Sequence, residues 1–275
     1  MSKAINKQLL KIEKKETRFL EKGSKRLGAE DSSLGKKLES KIPQKLKNTL
    51  YQAFYKSFNL VFDKGTAYIE KTYKKDDIQL DHELNDIAID NKPTKKYLKR
   101  MDKQGNKSKL INMSIASLEG SVLGLLGIGI PDIPIIIALI MRQVYEISLS
   151  YGYDYKDEKE RVYILMLICG ALSSGSDQIR FNEKLDQLAR QIDNKSTEFN
   201  KAISLDEQIK ETSNTLADHL LIAKFIQGIP IVGLVGGAVN NILINRVASY
   251  ARIKYKKRYL LSKISWQDIY NRLYF

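Results

Sequence analysis

An all-α protein is what this sequence predicts, and three observations carry the prediction. Apolar residues recur at intervals of three and four through almost every segment, and almost none alternates as a strand does. The remaining apolar stretches are glycine-rich and broken by proline, which suits short packed helices better than strands. The expected architecture is a compact multi-helix bundle with glycine-rich apolar helical hairpins at its core. With 275 residues and 43% hydrophobic content, the chain can bury a sizeable core in one or two domains. Residues 1–45 read as a basic amphipathic helical extension and residues 46–275 as the helical domain proper.

At the N-terminus, Ile5, Leu9, Ile12 and Phe19 draw one apolar stripe along an otherwise basic segment, which Gly23-Ser24 and Gly28 close. After Pro43, the residues Leu46, Leu50, Phe54, Phe58 and Phe62 return every four positions with Tyr51 and Tyr55 beside them, a helix whose aromatic face packs on the core. Gly65 and the Asp76-Asp77 pair punctuate the next segment. The stretch from Asn91 to Lys109 holds Pro93, Gly105, Asn106 and many lysines and reads as a solvated connection, with Ser108 as an N-cap for the next helix.

From Glu119 to Met141 the chain is nearly uncharged, and its apolar part is long enough to span a bilayer as one helix of about 20 residues. Pro131-Asp132-Ile133-Pro134 argues against one helix. The prolines break the hydrogen-bond ladder, and Asp132 near a bilayer midplane would cost roughly 2.5 to 3.5 kcal/mol. Two apolar half-helices meeting at a Pro-Asp-Ile-Pro corner are expected instead, either as a buried core or as a hairpin dipping into one leaflet. Cys169 sits in the apolar run Val162 to Leu172, so no disulfide framework and no cysteine-based zinc site is expected. Phe181 to Thr215 is polar with leucines and isoleucines at helical spacing, one long amphipathic helix or two with a break near Asn194. After a second glycine-rich unit ending at Ile244, a basic and aromatic tail closes the chain.

The two glycine-rich units resemble the signatures of the EcsC family of bacterial proteins. The first reads Glu119-Gly120, glycines 124, 127 and 129, Asp132-Ile133-Pro134, Arg142 and the tetrad Tyr151-Gly152-Tyr153-Asp154. The second reads Gly228-Ile229-Pro230-Ile231-Val232-Gly233, Gly236 to Asn240, Ala251-Arg252 and the tail from Tyr255 to Leu260. The resemblance covers roughly Leu46 to Leu261. It implies a role accessory to a bacterial ABC exporter, and it carries over no reaction and no catalytic residues.

The formal net charge of +14 calls for an acidic partner: anionic lipid, nucleic acid or an acidic protein surface. In the tail, Arg252, Lys254, Lys256, Lys257 and Arg258 are interleaved with tyrosines and followed by Trp266, a pattern that suits a juxtamembrane anchor on anionic phospholipid. Basic faces with their aromatics turned to the core read equally well. Nucleic acid ranks below lipid, because the glycine-proline hairpin has no role in it.

The polar residues set in apolar surroundings are the candidates for a ligand site: Glu119, Asp132, Arg142, Asp154 and Asn240. A purely structural reading makes Asp132 a helix cap, Glu119 and Arg142 an interhelical ion pair, and Asn240 a donor across a small-residue helix contact. The chain has no P-loop, no His-Glu-x-x-His, no nucleophile elbow and no metal spacing, so no catalytic residue, cofactor or metal is assigned and a binding or accessory protein is favoured. The N-terminal residues lack an apolar signal core. The sequence therefore predicts a cytoplasmic protein associated with the inner face of the bacterial cell membrane, its oligomeric state open. The alternative is a soluble helical enzyme or ligand-binding protein with a pocket around Glu119, Asp132 and Arg142.

Overall fold

A computed structural model describes residues 3–26, 42–106, 132–194, 204–227 and 237–274, and all the regular structure among them is helical. Helix α1 spans Lys3–Arg26, α2 Gln44–Leu60, α3 Thr66–Glu70, α4 Lys75–Asn91, α5 Lys95–Asn106, α6 Asp132–Ser150, α7 Glu158–Leu172, α8 Gly175–Asp193, α9 Leu205–Gln227 and α10 Gly237–Tyr274. The all-α reading therefore stands.

Two helices are apolar nearly all round, and the others pack about them. In α7 every residue from Val162 to Leu172 is buried, as a helix without a polar face must be. Its start is fixed by the Asp157 carboxylate, which accepts the Lys159 N–H at 2.8 Å, and Glu158 and Glu160 sit in the first turn, where the helix dipole favours negative charge. Helix α6 is the second axis and touches α2, α3, α4, α5 and α10. Its stretch Ile133–Ser150 is long and apolar enough to cross a membrane, yet 89% of it is buried inside the protein, and core helices have this same composition.

On α2, Leu50, Phe54 and Phe58 form the expected aromatic face against α6 and α9. The helix then widens into a π-turn, Val61–Gly65. There the Val61 carbonyl accepts both the Thr66 N–H and the Thr66 hydroxyl, the latter at 2.9 Å.

One expectation gives way. The stretch from Asn91 to Lys109 is not a solvated connection, for α5 occupies most of it and buries Leu98 and Met101. Those two, three positions apart, lie on one helical face, while Lys95, Lys96, Lys99 and Arg100 cover the outside. The N-terminal segment is helical over Lys3–Arg26. Helix α1 lies along α10 and touches α8, with Ile5 and Ile12 in the same core as the rest. The break near Asn194 is present, since α8 ends at Asp193. The glycine-rich hairpins fall largely outside the described residues.

Candidate functional site

Helix α10 runs between α1, α6 and α7, so from Ala251 to Leu260 most of its circumference is covered. That segment is dense in cations, and buried charges persist only when paired. Lys254 Nζ lies 2.6 Å from Glu16 and 2.5 Å from Asp186, and Lys257 bridges the same two carboxylates at 2.6 and 2.7 Å. Burial opposes the charge on Asp186, but the two lysines outweigh it and hold the carboxyl below the usual range.

Arg258 is clamped between Glu160, at 2.8 Å, and Asp193, at 2.7 Å, and its guanidinium lies over the Tyr153 and Tyr163 rings, 4.0 and 4.7 Å from their centroids. Burial works against its charge, and the two carboxylates and ring faces more than offset that. The Tyr255 hydroxyl donates to Glu160 at 2.8 Å. Further along, Tyr259 donates to Asp86 at 2.6 Å while Lys263 bridges Asp86 and Asp90.

One side of α10 differs. Between it and α1 a cleft of about 370 Å³ opens, lined by Ile12, Lys15, Arg18, Phe19 and Lys22 of α1, by Ser249, Arg252, Ile253 and Lys256 of α10, and by Asp102 and Tyr151. Asp102 is the one carboxylate among these, and it is already engaged, 2.6 Å from Lys256 Nζ and 3.3 Å from the Tyr151 hydroxyl. Lys15, Arg18 and Lys22 stand exposed, with no carboxylate partner among the described residues. Burial lowers the Arg252 pKa, with Tyr151 acting in the opposite sense. The cleft is a concentration of positive charge over an apolar floor, suited to hold an anion.

A model of the EcsC protein family matches residues 6–260. The chain belongs to the EcsC protein family. It is similar to Protein EcsC of Bacillus subtilis (strain 168), 28% identical over 228 residues, which is 82% of this chain and 83% of that one. It is also similar to the uncharacterized protein YdbA of the same organism, 30% identical over 152 residues, an alignment that spans 54% of each chain. No solved structure matches. The family match begins at residue 6 rather than near Leu46, so it takes in α1, in accord with the packing of α1 on α10.

The candidate residues singled out from the sequence divide into three groups. Arg142 is a structural tie: its Nε donates to the Thr72 hydroxyl at 3.0 Å, and it pairs with Glu146 one turn on, also at 3.0 Å. The tetrad from Tyr151 to Asp154 turns the chain out of α6. The Gly152 and Tyr153 N–H groups donate to the Leu149 and Ser148 carbonyls, and Gly152 has φ +83° with the His82 imidazole where a Cβ would stand. Asp154 is exposed and accepts the Lys156 N–H at 3.0 Å. Glu119 lies outside the described residues, as do the side chains of Asp132, Asn240 and Trp266.

The tail corrects the expected membrane-surface set. Lys254, Lys256 and Arg258 are 1%, 7% and 4% exposed and spend their charge inside the protein, as does Lys257 in large part. Of that set, Arg252 and Lys256 line the open cleft. Exposed positive charge is carried by α5, at Lys95, Lys96, Lys99 and Arg100, and by α1, which the sequence presents as a basic amphipathic extension. Its signal is in the lysines that recur opposite the Ile5, Ile12 stripe. Among the described residues no group of three or more histidines, cysteines or carboxylates is arranged to hold a metal ion.

Proposed function

We propose that this EcsC-family protein is a peripheral accessory protein of the inner face of the bacterial cell membrane, held on anionic phospholipid by the outer face of α1. A partner in the membrane, of the ABC exporter kind that the family resemblance implies, belongs to this proposal. One observation carries it. Helix α1 buries Ile5, Gln8, Ile12 and Glu16 against the body and exposes Lys3, Lys7, Lys11 and Lys14 along the opposite face, with exposed Lys15, Arg18 and Lys22 bordering the cleft toward α10. Leu10, 60% exposed, sits at the edge of that face as an apolar contact.

A helix so divided suits a charged plane, since its cations reach one surface together and each adds about 1 kcal/mol near anionic headgroups. The attraction decays over a Debye length of about 8 Å at physiological salt, so the association should be salt-sensitive. Flotation of the purified protein with vesicles tests it. Recovery should require anionic lipid and fall as salt rises, and equal recovery with neutral vesicles would remove the proposal.

A further inference from the structure

We infer that the cleft between α1 and α10 is a binding site for an organophosphate, a compact ligand bearing a phosphate group on a small apolar body. The inference stands on the cleft itself and does not require the membrane reading. Its volume of about 370 Å³ lies toward the lower end of the ~300–1,000 Å³ of small-molecule sites. That suits a headgroup-sized molecule rather than a polymer.

The lining specifies the chemistry. Lys15, Arg18, Lys22, Arg252 and Lys256 face Asp102, and Asp102 is bound up with Lys256 and Tyr151. Lys15, Arg18 and Lys22 thus bring to the cleft positive charge that no carboxylate of the described residues pairs, with Arg252 and Lys256 beside them. A phosphomonoester carries a charge of about −1.5 to −2 and three acceptor oxygens, so it can meet several donors at once where a carboxylate meets fewer. Arg18 and Arg252 offer planar forks that fit phosphate oxygens in pairs, and the Ser249 hydroxyl adds a neutral donor. Ile12, Phe19 and Ile253 supply an apolar wall, which a bare inorganic ion would leave uncovered.

The site also joins the first and last described helices. A ligand that engages Arg18 and Arg252 together pins α1 to α10, so binding should raise the stability of the folded chain by mass action.

The same chemistry has two sources, a soluble organophosphate and a lipid headgroup ending in a phosphomonoester. Calorimetric titration of the full chain separates them, with inorganic phosphate, glycerol 3-phosphate and a short-chain, water-soluble phosphatidic acid as probes. Glycerol 3-phosphate or the short-chain lipid should bind more tightly than inorganic phosphate, and whichever of the two binds better assigns the source. Arg18→Gln and Arg252→Gln should each weaken that binding at least tenfold, while Arg252→Lys keeps part of it. Circular dichroism on each variant establishes that it folds. Lys14→Gln, outside the cleft on the same helix, should leave the affinity unchanged. No binding of any probe by the folded wild-type chain, or affinities unaltered by both arginine variants, would overturn the inference. Flotation of Arg252→Gln on anionic vesicles, expected to persist, keeps the outcome separate from that for the α1 face.

Discussion

Lys254 Nζ lies 2.6 Å from Glu16 Oε1 across a sequence separation of 238 residues, and both side chains are almost fully buried. This pair ties the first helix to the last. The α1 lysines can act as an outer surface of the body because the inner edge of α1 is fixed in this way.

Removing one partner should therefore cost more than a surface pair would. Lys254→Met leaves Glu16 and Asp186 to Lys257 alone, and Glu16→Gln leaves two lysines on one carboxylate. Each should lose about 3–5 kcal/mol in urea denaturation, and Lys210→Met at the exposed Asp206 pair should lose far less. Equal losses at the two sites would contradict the buried-network description.

Gly152→Ala should destabilise by roughly 1–3 kcal/mol, because alanine is strained at φ +83° and its methyl group would overlap the His82 ring. The double variant His82→Ala, Gly152→Ala should recover the steric part and keep the backbone part. If thermal melts of the two variants coincide, the imidazole is not what the methyl meets.

A histidine on α9 gives the chain an acid-side weakness. Burial, aided by the nearby Arg246 charge, pushes the His219 pKa down to about 4 from its ordinary 6.5. Between those values the unfolded chain binds a proton that the folded chain refuses, so stability falls as pH drops from about 6.5 to about 4. Asp186, held low by Lys254 and Lys257, keeps its contribution above the ordinary carboxylate range and loses it only at more acid pH. His219→Gln should flatten the upper part of the stability–pH curve, and an unchanged slope there would rule out His219 as its source.

Cys169 is enclosed in α7, and burial pushes its thiol up to about 12. The native protein should therefore react with a thiol reagent such as DTNB only as fast as it unfolds. Rapid labelling under native conditions would show that α7 is open to solvent.

The periodic elements were legible from sequence because their information is local. The Leu50, Phe54, Phe58 ladder needs only four-residue spacing, and the ordered signature residues sufficed to name the family. The fate of the charges was not local. Nothing near Lys254, Lys256 or Arg258 in the sequence announces Glu16, Asp102 or Glu160, so a buried ion network read as an exposed basic tail. The lysines around Leu98 and Met101 hid α5 in the same way, since their density resembles a solvated loop until the helix face is known.

The central claim is that the outer face of α1 meets an anionic membrane surface. Flotation of the variant Lys3→Gln, Lys7→Gln, Lys11→Gln, Lys14→Gln tests it most directly, because these exposed positions lie outside the cleft and should alter stability little. At about 1 kcal/mol per cation, the variant's partition onto anionic vesicles should fall at least roughly tenfold below that of the wild type. Recovery equal to the wild type, at the same salt and lipid charge, would contradict the account.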